Sequence, residues 1–71
     1  MKVTYDPEAD AVYMALREVP VVRSSDVEDG VVLDYDEDGE LVGIEILRAS
    51  RRTSDPRSIS YALANEGQRT A

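Results

Sequence analysis

The stretch that decides the fold is Val31-Val32-Leu33-Asp34-Tyr35-Asp36-Glu37-Asp38-Gly39-Glu40-Leu41-Val42-Gly43-Ile44-Glu45-Ile46-Leu47. Val31, Leu33 and Tyr35 fall on one side of an extended chain, and Val42, Ile44 and Ile46 alternate against Leu41, Gly43 and Glu45. This period of two, rich in β-branched side chains, predicts a strand on either side of the turn Asp36-Glu37-Asp38-Gly39, where glycine supplies the positive φ. The stretch reads as a β-hairpin with one apolar face.

Upstream, Asp29-Gly30 marks another turn, and Val21-Val22-Arg23-Ser24-Ser25-Asp26-Val27 reads as an extended edge segment of low apolar content after the break at Pro20. Val3 and Tyr5 alternate with Lys2 and Thr4 in a short strand that stops at Asp6-Pro7. From Ala11 to Leu16, Val12, Met14 and Leu16 face opposite Tyr13. A hairpin around the Asp6-to-Ala11 connection is the simplest arrangement. A helix is the rival reading, because Pro7 to Ala11 and Met14 to Arg17 contain good helix formers, but the central Val and Tyr and the period of two favour strand.

Downstream of the polar run Arg48 to Thr53, Ser54 or Asp55 offers an N-cap, Pro56 the first helical position, Ile59, Ala62 and Leu63 an apolar stripe, and Gly67 a stop. The expected fold is α+β: an antiparallel β-meander of four or five strands with one C-terminal amphipathic helix. Residues 1–50 make the sheet body and 51–71 the Arg-rich connection and helix of the same domain. The expected apolar face holds Val3, Tyr5, Val12, Met14, Leu16, Val31, Leu33, Val42, Ile44 and Ile46, completed by Ile59 and Leu63.

Composition narrows the chemistry. The 71 residues contain no His and no Cys, so the chain supplies no Ser-His-Asp triad, no thiol nucleophile, no His/Cys zinc site and no disulfide. Ser24, Ser25, Ser58 and Ser60 have no evident activating base, and no catalytic residue or cofactor is expected. Eight basic against fifteen acidic side chains give a net charge of −7, which opposes direct nucleic-acid binding and attraction to anionic membranes. No apolar run reaches the ~20 residues of a membrane span, and the first residues do not resemble a signal peptide, so a cytoplasmic location is expected.

The charge is unevenly divided. Residues 1–47 carry three bases and thirteen acids, net −10, whereas residues 48–71 carry five arginines and two acids, net +3. An acidic body followed by an Arg-rich tail suggests docking of the tail on the chain's own acids or on a second chain. A chain this short buries only roughly 60% of its unfolded surface, so association with a second copy, or with a basic protein partner, is expected.

One acidic motif stands out. Asp34, Asp36, Asp38, Gly39 and Glu45 satisfy the spacing D-x-D-x-D-G-x5-E of an EF-hand calcium loop. That loop belongs between two helices, whereas both flanks here are strand-like, and in a hairpin Glu45 lies up the second strand, away from the tip. The motif therefore reads as a solvated turn. Divalent-cation binding by Asp34, Asp36 and Asp38, with Glu45 as fourth ligand, is the alternative. Asp6, Glu8 and Asp10 form a second acidic set, expected to be a solvated loop, and Tyr5, Tyr13, Tyr35 and Tyr61 are expected to close the small core.

The strings Tyr5-Asp6-Pro7-Glu8-Ala9-Asp10-Ala11-Val12-Tyr13 and Val31 to Leu47, in this order and spacing, resemble the DUF2283 family of small uncharacterised prokaryotic proteins over about residues 2 to 50. The resemblance implies a small β-rich fold in which the calcium-like string is a hairpin turn. It carries over no catalytic or binding residue. Small size, acidity and association with small basic neighbours make some members similar to the antitoxin components of toxin-antitoxin pairs. The expected function is a non-enzymatic protein-interaction module that binds a basic partner.

Overall fold

The computed structural model describes residues 1–65. It contains β1 (Lys2–Asp6), β2 (Ala11–Ala15), β3 (Arg23–Glu28), β4 (Val31–Tyr35), β5 (Leu41–Leu47) and the single-turn helix α1 (Ala49–Arg52). The five strands form one antiparallel sheet in the order β1-β2-β5-β4-β3. The predicted hairpins β1–β2 and β4–β5 are both present, and β3 is an edge strand, as its serines and acids require.

The expected meander order is corrected. β5, the longest strand and the one carrying Val42, Ile44 and Ile46, inserts between β2 and β4, where both of its edges are paired. β2 is therefore followed in sequence by a strand at the far edge. The connection 16–22 crosses the three intervening strand spacings, about 14 Å, and seven extended residues reach about 23 Å. It is fastened at both ends, by Leu16 N–H to the Val42 carbonyl (2.7 Å) and by Val22 N–H to the Tyr35 carbonyl (2.9 Å).

Register sorts the side chains into two faces. Val3, Met14, Ile44 and Leu33 lie in one row across four strands, with Tyr5, Val12, Ile46 and Val31 in the next. The opposite face presents rows of Thr4, Tyr13, Glu45, Val32 and Asp26, and of Lys2, Ala15, Gly43, Asp34 and Ser24. The rows hold Val3, Tyr5, Val12, Met14, Val31, Leu33, Ile44 and Ile46 of the expected set, half-buried, whereas Leu16 falls in the connection after β2 and in neither row. Among the described residues the buried apolar side chains are Ala11, Val42 and Ala49.

The helix expectation is also corrected. The helical turn falls at Ala49–Arg52, within the run read as a polar connection, while residues 54–65 form no helix and the remainder of the expected segment lies outside the described residues. Asp55 closes one turn instead: its carboxylate accepts Arg57 N–H at 3.1 Å and its carbonyl accepts Ser58 N–H at 3.2 Å. Ser54, Asp55 and Pro56 therefore start no helix, because three apolar residues do not offset the cost of nucleating one without a surface to pack on. Ile59 and Leu63 accordingly do not complete the core; they are 64% and 93% exposed.

Candidate functional site

Each member of the calcium-like string is placed by the hairpin rather than by a common centre. Asp36 turns inward and is 9% exposed. One carboxylate oxygen accepts the N–H groups of Asp38 and Glu40, both at 2.9 Å, and the other accepts the Arg17 guanidinium. The hydrogen bond from Glu40 N–H, assisted by Arg17 and Asp38 N–H, holds the carboxyl below its ordinary range. Gly39 supplies φ 78°, and its N–H returns to the Asp36 carbonyl at 3.0 Å. Asp36 is thus the internal brace of the turn, an anion held by two N–H groups of its own loop and by Arg17 from the β2–β3 connection.

Asp34 points to the polar face. There it accepts the Tyr13 hydroxyl at 2.9 Å and the Ser24 hydroxyl at 2.6 Å, closing a side-chain chain that crosses β2, β5, β4 and β3. Tyr13 reaches Asp34 by lying over Gly43: a Cβ at that position would stand 2.2 Å from the Tyr13 hydroxyl oxygen. Glu45 flanks the same ring. Burial first, then the bond to Asp34 and the charge of Glu45, raise the Tyr13 pKa. Asp38 sits exposed at the tip. The structure therefore brings Asp34 and Glu45 to one face around Tyr13, and leaves Asp36 and Asp38 in the turn. Among the described residues, no three His, Cys, Asp or Glu side chains gather as metal ligands do.

The second acidic set is more than a solvated loop. Asp6 braces its own turn by accepting Glu8 N–H at 3.0 Å and Ala9 N–H at 3.3 Å. Asp10, held at φ 53°, accepts the Tyr5 hydroxyl (2.8 Å), Ser50 N–H (3.0 Å) and the Ser50 hydroxyl (2.6 Å), while its carbonyl accepts Ala49 N–H (2.9 Å). A residue forty positions upstream thereby caps the first turn of α1. The Ser50 hydroxyl first, then that of Tyr5, lowers the Asp10 pKa, and Asp10 in turn raises that of Tyr5.

Part of the Arg-rich tail docks on the chain's own acids. Arg48 pairs with Asp29 at 2.8 Å, and Arg52 reaches Glu28 at 3.3 Å and the Asp29 carbonyl at 2.6 Å. Both guanidinium groups press on Gly30, whose φ of 83° and lack of a side chain permit the contact. Arg23 instead stacks on the Tyr35 ring, 4.2 Å from its centroid.

Two surfaces remain: an apolar face grooved between Val3, Val12, Met14 and Ile46 and flanked by Pro56 and Ile59, and an acidic face carrying Asp26, Asp34 and Glu45. The Tyr13–Asp34–Ser24 chain was missed at the sequence level. Its signal was Gly43, a glycine in the middle of an otherwise β-branched strand, which marks close approach of another group.

The family described as a protein of unknown function, DUF2283, matches residues 2–50. The chain belongs to the DUF2283 family. Among curated proteins it is 37% identical over 51 residues to the uncharacterised protein MJ0789 of Methanocaldococcus jannaschii, covering 72% of this chain and 43% of that protein. The chain thus spans less than half the length of this relative. No solved structure matches. The DUF2283 segment ends at residue 50 and so takes in all five strands and the Asp10–Ser50 clasp.

Proposed function

We propose that this DUF2283 protein is a non-enzymatic protein-interaction module whose acidic sheet face docks a basic partner protein, in the manner of an antitoxin that covers a small basic partner. The observation that carries this reading is the sorting of charge by strand register. Asp26, Asp34 and Glu45 share one face, and Glu37, Asp38 and Glu40 extend the negative field at the hairpin tip. Arg48 and Arg52, which lie among the tail bases that could neutralise this field, are engaged at the β3–β4 turn. A concentrated negative field accelerates encounter with a positive surface and discriminates against acidic ones.

Affinity isolation of the tagged chain at low salt tests the reading. A basic protein should be retained and should elute on a salt ramp, since charge pairing at an exposed face is screened within about 8 Å at physiological ionic strength. Combined Asp26→Lys and Glu45→Lys substitutions should abolish that retention. Recovery of the chain with no basic protein bound, or retention indifferent to both salt and charge reversal, would count against it.

A further inference from the structure

We infer that the groove beside the β4–β5 turn takes one arginine side chain of the basic partner, its guanidinium held by Glu37 and Asp38 and its aliphatic stem by Val19, Pro20 and Val22. The inference rests on the acidic-face reading above and names the anchor by which that partner is held.

The groove forms where the β2–β3 connection meets the hairpin turn, and its walls are of two kinds. Val19, Pro20 and Val22 of the connection make an apolar wall, and Glu37 and Asp38 of the turn an acidic one. Both are fixed before anything binds. The N–H groups of Leu16 and Arg17 donate to the Val42 carbonyl, and that of Val22 to the Tyr35 carbonyl, so the connection is pinned at each end. The turn is held by the Asp36 carboxylate, which accepts the N–H groups of Asp38 and Glu40. A preformed site avoids much of the ordering cost of binding. Its volume of about 290 Å³ lies at the floor of the roughly 300–1,000 Å³ typical of sites for drug-sized ligands, so it suits one side chain rather than a cofactor.

Charge selects a cation. The Arg17 guanidinium, which also lines the groove, is met by Asp36, whereas among the described residues no cation pairs with Glu37 or Asp38. Two uncompensated carboxylates therefore border the groove. Solvation accounts for exposed acids at a turn, but not for Val19 and Val22, 39% and 61% exposed, along the same groove. Apolar and acidic walls together match a side chain with a methylene stem and a cationic head. Arginine fits better than lysine, because its planar fork can bond two carboxylates at once and is more weakly hydrated. Arginine is also enriched among the anchors that carry interface energy.

Amide-shift mapping of the full chain, labelled with nitrogen-15 and titrated with Nα-acetyl-arginine amide, tests this. The shifts should concentrate at Arg17, Val19, Val22, Glu37 and Asp38, with a roughly millimolar dissociation constant. The citrulline analogue, of the same shape without the charge, should not bind, and guanidinium ion without the stem should bind several-fold more weakly. Glu37→Gln combined with Asp38→Asn should weaken the probe at least about five-fold. Val19→Ser combined with Val22→Ser should also weaken it, while a dispersed spectrum shows that each variant is folded. Absence of shifts at about 50 mM probe, equal binding of citrulline, or shifts centred on Asp26, Asp34 and Glu45 would overturn the inference. Asp26→Lys combined with Glu45→Lys should leave probe binding within about two-fold, since the groove does not include those residues. A basic protein retained equally by the wild type and by the Glu37→Gln, Asp38→Asn variant overturns the groove alone, whereas a probe that binds when no basic protein is retained overturns the acidic-face reading alone.

Discussion

Replacing Gly43 with alanine should destabilise the protein through a single side chain on a different strand. The new Cβ would lie 2.2 Å from the Tyr13 hydroxyl oxygen and 2.5 Å from the ring carbon that bears it, whereas ordinary contact begins near 3.4 Å. The hydroxyl must retreat by more than an ångström, which breaks its 2.9 Å bond to Asp34. A hydrogen bond to a charged acceptor contributes about 1.5–3 kcal/mol, and the partial exposure of this one places it at the lower end. Against that, alanine in a strand interior gains roughly 0.5–1 kcal/mol over glycine, so the net cost is about 0.5–1 kcal/mol. For a domain of this size that lowers the melting temperature by roughly 2–8 °C. Thermal melts followed by circular dichroism at one fixed concentration measure it, and a double-mutant cycle isolates the cause. In a Tyr13→Ala background the clash is gone, so Gly43→Ala should become neutral or slightly stabilising. An equal penalty in both backgrounds would refute the argument and assign the cost to the backbone, where the Met14 carbonyl at 3.1 Å is the remaining neighbour.

Acid should unfold the protein through Asp10 and Asp36, whose carboxyl groups are held below the ordinary value of 3.8. Their contribution is complete above that value and is lost as pH falls through the lowered folded values; melts from pH 2 to 7 should show this, and Asp10→Asn should flatten the curve. Tyr5 and Tyr13 ionise above the ordinary 10.0, so absorbance at alkaline pH should show late-titrating tyrosines, and the stability tied to their neutral form should persist to pH 10 and fall as pH rises through the raised values. Calorimetric titration with calcium should give no binding heat up to about 1 mM, the weak end of the range for protein calcium sites, because both Asp36 oxygens are engaged and Glu45 stands on the strand.

Much of the sheet could be read from residues 31–47, where apolar period and turn chemistry agree, and the same logic placed the β1–β2 hairpin. Strand order could not be read. Seven residues between β2 and β3 are long enough either to return alongside or to cross the sheet end, and only pairing across the whole sheet selects β5 for the centre. The helix failed for a related reason: Ser54, Asp55 and Pro56 are sound start signals, but whether a helix follows depends on a surface for Ile59 and Leu63, which local sequence does not report. At the candidate site, the position of Glu45 up the second strand, away from Asp36 and Asp38 in the turn, followed from the flanking strands. The reach of Tyr13 to Asp34, and of Asp10 to Ser50, spans 21 and 40 positions and has no local signature.

The clasp between Asp10 and Ser50 gives the chain a punctuation mark. The carboxylate that closes it belongs to the first hairpin and the residue it holds is the last that the family shares, so the sheet is tied off before Thr53 begins. Whatever sequence continues beyond that knot pulls on α1 and Asp10, not on the free end of β5.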